Sequence, residues 1–245
     1  MFDADVLKSI SVNTHSSVCI RRDKVIYIDP LRIAGEPHDA DLILITHPHF
    51  DHFSAKDIKK LLKPDTVIVT PKSAAALCKL RTGREPLAVL PAQQITPCGI
   101  AVETVAAYNL HKPSHPRAMN WVGYVLTLGE TRVYITGDTD DTPECRAVSC
   151  DILMLPVGGV YTVNAAQAAA LTNQIKPHTV IPIHYGTMLG GAGAAENFRA
   201  QVDPAIETDV RSGVCSNVMT GQIIRILLMA LCFALLVYFL GHAIG

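Results

Sequence analysis

The sequence predicts a mixed α/β domain, on three observations. Short apolar runs of β character alternate with helical or loop segments along most of the chain, the arrangement expected of strands layered against helices. With 49% hydrophobic and 18% charged residues over 245 positions, there is enough apolar material for a large buried core. Finally, histidines and aspartates follow the ends of several apolar runs, where loops at one edge of a sheet converge.

The first strands are expected over residues 9–13, 17–21 and 24–28, the last two joined by a tight polar turn at Arg22-Asp23, which makes a meander. Residues 41–46 read as a buried strand. Ser54 is then placed to cap a helix over 55–62 that closes before Pro64. A strand over 66–70, a helix over 72–79 and an alternating strand over 100–107 follow. Residues 108–120 form a polar, proline-bearing loop with His111 and His115, leading into strands over 121–128 and 132–136 and the segment Gly137-Asp138-Thr139-Asp140. A strand over 151–155 precedes Asn164, which with Gln167 three residues on makes a capping box for a helix running to residue 174. The strand over 179–183 ends in His184-Tyr185-Gly186. No linker divides this region, so one domain is expected over 1–221.

Residues 226–240 are all apolar or tyrosine, Arg225 stands before them, and no lysine or arginine follows. The stretch to residue 244 approaches the roughly 20 residues a helix needs to cross a bilayer. The expectation is a C-terminal apolar helix over 222–245 acting as a membrane anchor, with the preceding domain on the cytoplasmic face. The acidic N-terminus is followed by no apolar segment of signal-sequence length. Seven scattered cysteines without a C-x-x-C pair suggest neither a disulfide framework nor a thiolate metal site and fit a reducing compartment. A net charge of -1 without a basic cluster argues against a nucleic-acid partner.

The most informative segment is Thr46-His47-Pro48-His49-Phe50-Asp51-His52-Phe53, directly behind Leu42-Ile43-Leu44-Ile45. Imidazoles with a carboxylate and no thiolate are the ligands of a catalytic rather than a structural divalent ion. In an extended loop His47 and His49 project the same way, while Asp51 and His52 project differently and can serve a second ion. His47, Asp138 and His184 each stand at or within two residues of the end of an apolar run, so they can meet around one pair of ions. No convincing G-x-S-x-G nucleophile segment is present.

With these residues the chain resembles the metallo-β-lactamase-fold hydrolase superfamily, from Ser9 to about Val210, the H-P-H-F-D-H motif being highly specific for it. Through Ile28-Asp29-Pro30, Ser114-His115-Pro116, Thr136-Gly137-Asp138-Thr139 and Ile183-His184-Tyr185-Gly186 it most resembles the broad group of uncharacterised metal-dependent hydrolases that includes lactonases and is related to lipid phosphodiesterases. The resemblance implies a four-layer αββα sandwich. It also implies His47, His49 and His115 at one metal, Asp51, His52 and His184 at a second, and Asp138 bridging, with Asp51 and Asp138 as catalytic carboxylates. Spacing leaves both His111 and His115 open as the third histidine; the family pattern, with a histidine before Pro116, points to His115 and leaves His111 as a candidate substrate contact. His15 resembles a family position facing the site entrance. Asp29 is a candidate partner for a ligand imidazole, equally readable as a turn former before Pro30, and Tyr161 and Tyr185 are candidate substrate contacts or packing residues.

The implied activity is hydrolysis of an ester, lactone or phosphodiester by a hydroxide bridging two divalent ions, zinc first and manganese or iron as alternatives. The expected partner is a small or amphiphilic substrate, the second character following from the membrane anchor. A di-iron redox protein would need a glutamate at His49, and a nucleic-acid-processing enzyme a gripping domain for which there is no room. The rival reading from another class is a noncatalytic membrane-tethered metal-binding module.

Overall fold

Leu42 and Leu44 project to one side of their strand and Ile43 to the other, and both sides are fully buried, as in a sheet covered on its two faces. The computed structural model describes residues 2–186, 191 and 193–211. They form two sheets. The first contains β1 (Ile10–Thr14), β2 (Ser17–Arg21), β3 (Val25–Ile28), β4 (Leu42–Leu44), β5 (Val67–Pro71) and β6 (Leu87–Val89), in that spatial order. The meander β1-β2-β3 is antiparallel, and β3 to β6 are parallel. The second sheet is built from β7 (Gln94–Ile95), β8 (Ala101–Ala106), β9 (Val122–Leu128), β10 (Thr131–Ile135), β11 (Ile152–Pro156), β12 (Thr179–Ile183) and β13 (Glu207–Thr208), in the order 13-12-11-10-9-8-7. It too joins an antiparallel half, β7 to β10, to a parallel half, β10 to β13.

One core cluster takes Ile20, Ile26, Ile28, Leu42 and Leu44 from the first sheet and Val122, Tyr124, Leu126, Val133 and Ile135 from the second. It extends to α5 (Ala165–Ile175) and α6 (Ala194–Arg199), after the short helices α1 (Ala4–Ser9) and α4 (Pro143–Arg146). The other cluster packs Tyr27, Ile43 and Ile68, on the opposite face of the first sheet, against Ile58 and Leu61 of α2 (Ala55–Leu61) and Cys78 of α3 (Ala75–Thr82). Helices thus flank two facing sheets, an αββα sandwich.

The local signals act as their chemistry requires. The Ser54 hydroxyl caps α2 by accepting from the Asp57 amide, and Asn164 and Gln167 close the reciprocal capping box of α5. The helix expected over 72–79 divides into a 3₁₀ turn, Lys72–Ala74, and α3, which ends on the left-handed Gly83. β6, β7 and β13 are too short to show a strand period: β6 has three residues, and β7 and β13 have two each.

The expected C-terminal membrane helix is corrected. Among the described residues no helix is long and apolar enough to cross a membrane; α5, with eleven residues, spans about 16 Å against a hydrocarbon core of about 30 Å. An apolar run is one condition for a span, and a continuous helix that satisfies its own backbone is the other. Residues 222–245 lie outside the described residues. The chain divides into two units, Met1–Cys215 and Ser216–Gly245, and the two sheets belong to the first. The membrane anchor, the membrane as partner and the cytoplasmic membrane face have no support and are withdrawn.

Candidate metal centre

The site lies where β1, β3, β4, β8, β10 and β12 end. After β4 the chain turns sharply, the amides of His52 and Phe53 both donating to the His49 carbonyl at 3.0 and 2.8 Å. Asp29, just past β3, anchors that turn from below. Its carboxylate accepts from the Thr46 amide at 2.8 Å, the Thr46 hydroxyl at 2.6 Å and His52 Nδ1 at 2.7 Å. The Thr46 oxygen in turn lies 3.0 Å from His47 Nδ1. With Nδ1–H of each ring donated to an oxygen, Nε2 of His47 and His52 is left as a lone-pair donor facing the centre.

The second sheet repeats this logic with a neutral group. Asn109 Oδ1 accepts from His115 Nδ1 at 2.9 Å and from the His115 amide at 3.1 Å, so His115 also presents Nε2. Gly137, at φ +64°, turns the chain after β10 under Thr46 and delivers Asp138 to the middle. Asp138 Oδ2 lies 3.1 Å from His184 Nε2 and 3.4 Å from His115 Nε2, and its Oδ1 lies 3.3 Å from His52 Nε2. Asp51 Oδ2 lies 3.2 Å from His15 Nε2, 3.5 Å from His184 Nε2 and 3.6 Å from His52 Nε2.

Three groups of donor atoms result, each within 4.8 Å: His47, His49 and His115; His15, Asp51, His52 and His184; and His47, His52 and Asp138. His52 Nε2, His115 Nε2, His184 Nε2 and Asp138 Oδ1 are buried and make no hydrogen bond among the described residues, although they approach one another closely. Buried polar atoms are ordinarily satisfied. Lone pairs converging without hydrogen-bond alignment are what divalent ions bind, and this donor set fits them.

The charges are unequal. Burial, with His52 next, holds His47 well below the ordinary imidazole range, and burial and His115 lower His49. Burial opposes charge on His52 and His184, but Asp138 and its neighbouring carboxylates outweigh it: His52 is held well above its usual range and His184 is pushed up to about 9. Burial also opposes ionisation of Asp51 and Asp138, yet the histidines around them hold both below the usual carboxylate range. Burial pushes the Asp29 carboxyl up, against the hydrogen bonds from His52 and Thr46. Burial and His184 bring His15 down to about 4.

Three of these residues have left-handed backbone, His15 at φ 52°, Asp29 at 46° and His184 at 56°, a conformation that costs a non-glycine residue free energy and clusters at functional sites. The His184 amide donates to the His15 carbonyl at 3.1 Å, and Gly158 approaches the His184 carbonyl so closely that a Cβ there would lie 2.4 Å from it.

Of the residues expected at the site, His47, His49, Asp51, His52, His115, Asp138 and His184 come together, with Asp29 beneath them and His15 beside Asp51. His111 is exposed and belongs to none of the donor groups. Tyr185 is buried in the main core, whereas Tyr161 lines a cavity of about 320 Å³ over the centre with Phe50, Ser114, His49, Asp51, His115 and Asp138. Sequence reasoning missed Asn109, whose part depends on a loop that folds back on itself. It also missed Asp140, which accepts from the Leu110 amide at 2.9 Å and pairs with Lys112 to shape that loop.

Residues 9–184 match the family model described as the Beta-lactamase superfamily domain, more than half of the chain. The chain belongs to the metallo-β-lactamase superfamily. A UPF0173 protein of Pyrococcus abyssi is 32% identical over 181 residues, covering 72% of this chain and 81% of the relative. A UPF0173 metal-dependent hydrolase of Thermoplasma acidophilum is 28% identical over 207 residues, covering 79% and 91%. Among solved structures, a candidate metal-dependent hydrolase from Parabacteroides distasonis superposes with a TM-score of 0.70 at 32% identity, covering 82% of this chain and 91% of the other. This metallo-β-lactamase superfamily member is a metal-dependent hydrolase with a binuclear site for divalent metal ions.

Proposed function

We propose that His47, His49 and His115 hold one ion, that Asp51, His52 and His184 hold the other, and that Asp138 is shared, in a hydrolase of esters, lactones or phosphodiesters. The observation that carries this reading is the convergence of buried Nε2 atoms on Asp138 without hydrogen-bond partners among the described residues. Two divalent ions, when bound, bring a water to ionise near neutral pH and polarise the scissile carbonyl or phosphoryl oxygen. The chain's own residues prepare the rest. Asp138 and Asp51, held ionised by the surrounding histidines, orient the attacking water and accept its hydrogen bond. Asp29, Thr46 and Asn109 fix the rings of His52, His47 and His115, so little reorganisation accompanies reaction.

Zinc is the ion we assign, since a centre of five imidazoles and two carboxylates suits a borderline ion without redox chemistry. Reconstituting chelated protein separately with zinc, manganese and iron, and assaying an ester, a lactone and a phosphodiester, tests both statements. Zinc is expected to restore the highest turnover, and Asp138→Asn to lower it on the order of a thousandfold. Turnover that survives chelation, or that Asp138→Asn leaves intact, overturns the proposal.

A further inference from the structure

The cavity over the centre has two characters. Its floor is His49, Asp51, His115 and Asp138, and its rim is aromatic: Phe50 is 69% exposed and Tyr161 47%. Phe50 stands at the tip of the ligand-bearing turn, between His49 and Asp51. Tyr161 is carried by a loop whose backbone is tied to the centre at consecutive positions. Asn109 Nδ2 donates to the Tyr161 carbonyl at 2.8 Å, Lys112 Nζ to the Thr162 carbonyl at 3.0 Å, and the Val163 amide to the Thr139 carbonyl at 3.0 Å. The same Asn109 side chain holds His115 through its oxygen. An exposed aromatic ring on a fixed backbone, facing a cavity, is a ready-made apolar contact. Val160 and Leu110, beside Tyr161 and Asn109 in the chain, are also exposed, at 54% and 48%, so the apolar surface continues past the rim.

Among the described residues lining this cavity there is no lysine or arginine. Lys112 is committed to Asp140 and the Thr162 carbonyl. A transferring phosphoryl group spreads charge over several oxygens, and besides the metal ions of such a centre guanidinium or ammonium groups commonly share in clamping it. An uncharged ester develops charge on a single oxygen and needs no such clamp.

We infer that the substrate is an uncharged carboxylic ester or lactone with an apolar acyl group seated between Phe50 and Tyr161, and that anionic substrates, phosphodiesters included, are disfavoured. The inference rests on the hydrolytic reading above and narrows it. In the reaction a water oxygen bonds to the acyl carbon and the acyl C–O bond breaks. One proton leaves with the alcohol oxygen and the other is released from the new carboxylic acid.

The test uses the full chain reconstituted with zinc and four probes: p-nitrophenyl acetate, p-nitrophenyl hexanoate, the mono-p-nitrophenyl ester of adipic acid, and bis(p-nitrophenyl) phosphate. The hexanoyl and adipoyl groups share a chain length and differ in a terminal carboxylate. Hexanoate is expected to exceed both acetate and the adipate ester at least tenfold in kcat/KM. The rate enhancement over the uncatalysed reaction is expected to be at least a hundredfold smaller for the phosphodiester. Phe50→Ala and Tyr161→Ala are each expected to shrink the hexanoate-to-acetate ratio about fivefold or more, through KM, with the bound metal retained. The inference is overturned if the adipate ester matches hexanoate, if the phosphodiester shows the larger enhancement, or if both variants leave the ratio where it was. Phosphodiester preference that disappears in Asp138→Asn sinks this inference and leaves the metal-hydrolase reading standing. No turnover of any probe by protein holding two ions per chain sinks both.

Discussion

The two sheets supply the centre in different ways. The first contributes His47, His49, Asp51 and His52 from one turn after β4 and stabilises that turn with a buried carboxylate, Asp29, which accepts from Thr46 and His52. The second contributes His115, Asp138 and His184 from three separate strand ends and steadies His115 with a neutral carboxamide, Asn109. The first half is therefore local in sequence and secured by charge. The second is assembled over long distances and secured by loop shape, through Asn109, Asp140, Lys112 and the close approach of Gly158 to His184. Specificity follows the same division, since the rim brings Phe50 from the first half to face Tyr161 from the second.

If charge secures the first half, removing Asp29 should damage fold and metal site together. Asp29→Ala leaves the Thr46 amide, the Thr46 hydroxyl and His52 Nδ1 without their acceptor in a fully buried place. A loss on the order of 3–5 kcal/mol is expected in denaturant unfolding; a loss under about 1 kcal/mol would show that the carboxylate does not secure the turn. Asn109→Ala, in the second half, should act on the site more than on the fold. Metal affinity is expected to fall about 10- to 100-fold in a chelator competition, and a change confined to stability would erase the contrast between the halves.

A smaller effect belongs to Asp57, in the first turn of α2. Its carboxylate accepts from the Arg32 amide at 2.9 Å, the Ile33 amide at 3.1 Å, the Ser54 hydroxyl at 2.7 Å and Lys60 at 2.8 Å. Burial opposes its charge, but Lys60 and Ser54 prevail and its pKa lies below the ordinary aspartate value. The folded form therefore binds its proton more weakly than the unfolded chain. This stabilisation is fully present above about pH 4, the unfolded value, and is lost as pH falls through the lower folded value. Asp57→Asn should cost about 1–2 kcal/mol at pH 7 and flatten the loss of stability between about pH 5 and 3. An unchanged pH profile by thermal melts would remove Asp57 from the account.

What could be read in the sequence follows the same line between local and assembled structure. The H-P-H-F-D-H turn, the Ser54 cap and the Asn164–Gln167 box are short-range patterns, and the structure contains each of them. Asp138 and His184 were legible because they follow long apolar runs. Asn109 was not, because its partner His115 becomes its neighbour only after the loop folds back, the Asn109 amide donating to the His115 carbonyl at 2.8 Å. Left-handed backbone at His15, Asp29 and His184 left no mark either, since none is a glycine. Tyr185, readable from the sequence as a substrate contact or a packing residue, stands next to His184 and is buried in the core. The apolar C-terminal run lies outside the described residues, and among those no helix is long and apolar enough to cross a membrane.

The most direct test of the central claim is metal stoichiometry, measured by mass spectrometry of the intact zinc-loaded chain for the wild type, His115→Ala, His184→Ala and His111→Ala. Two ions per chain in the wild type and in His111→Ala, with one in each of the other two variants, is the predicted result. Two tightly held ions in His115→Ala or in His184→Ala, or loss of an ion in His111→Ala, would contradict a centre assembled from the two sheets as described.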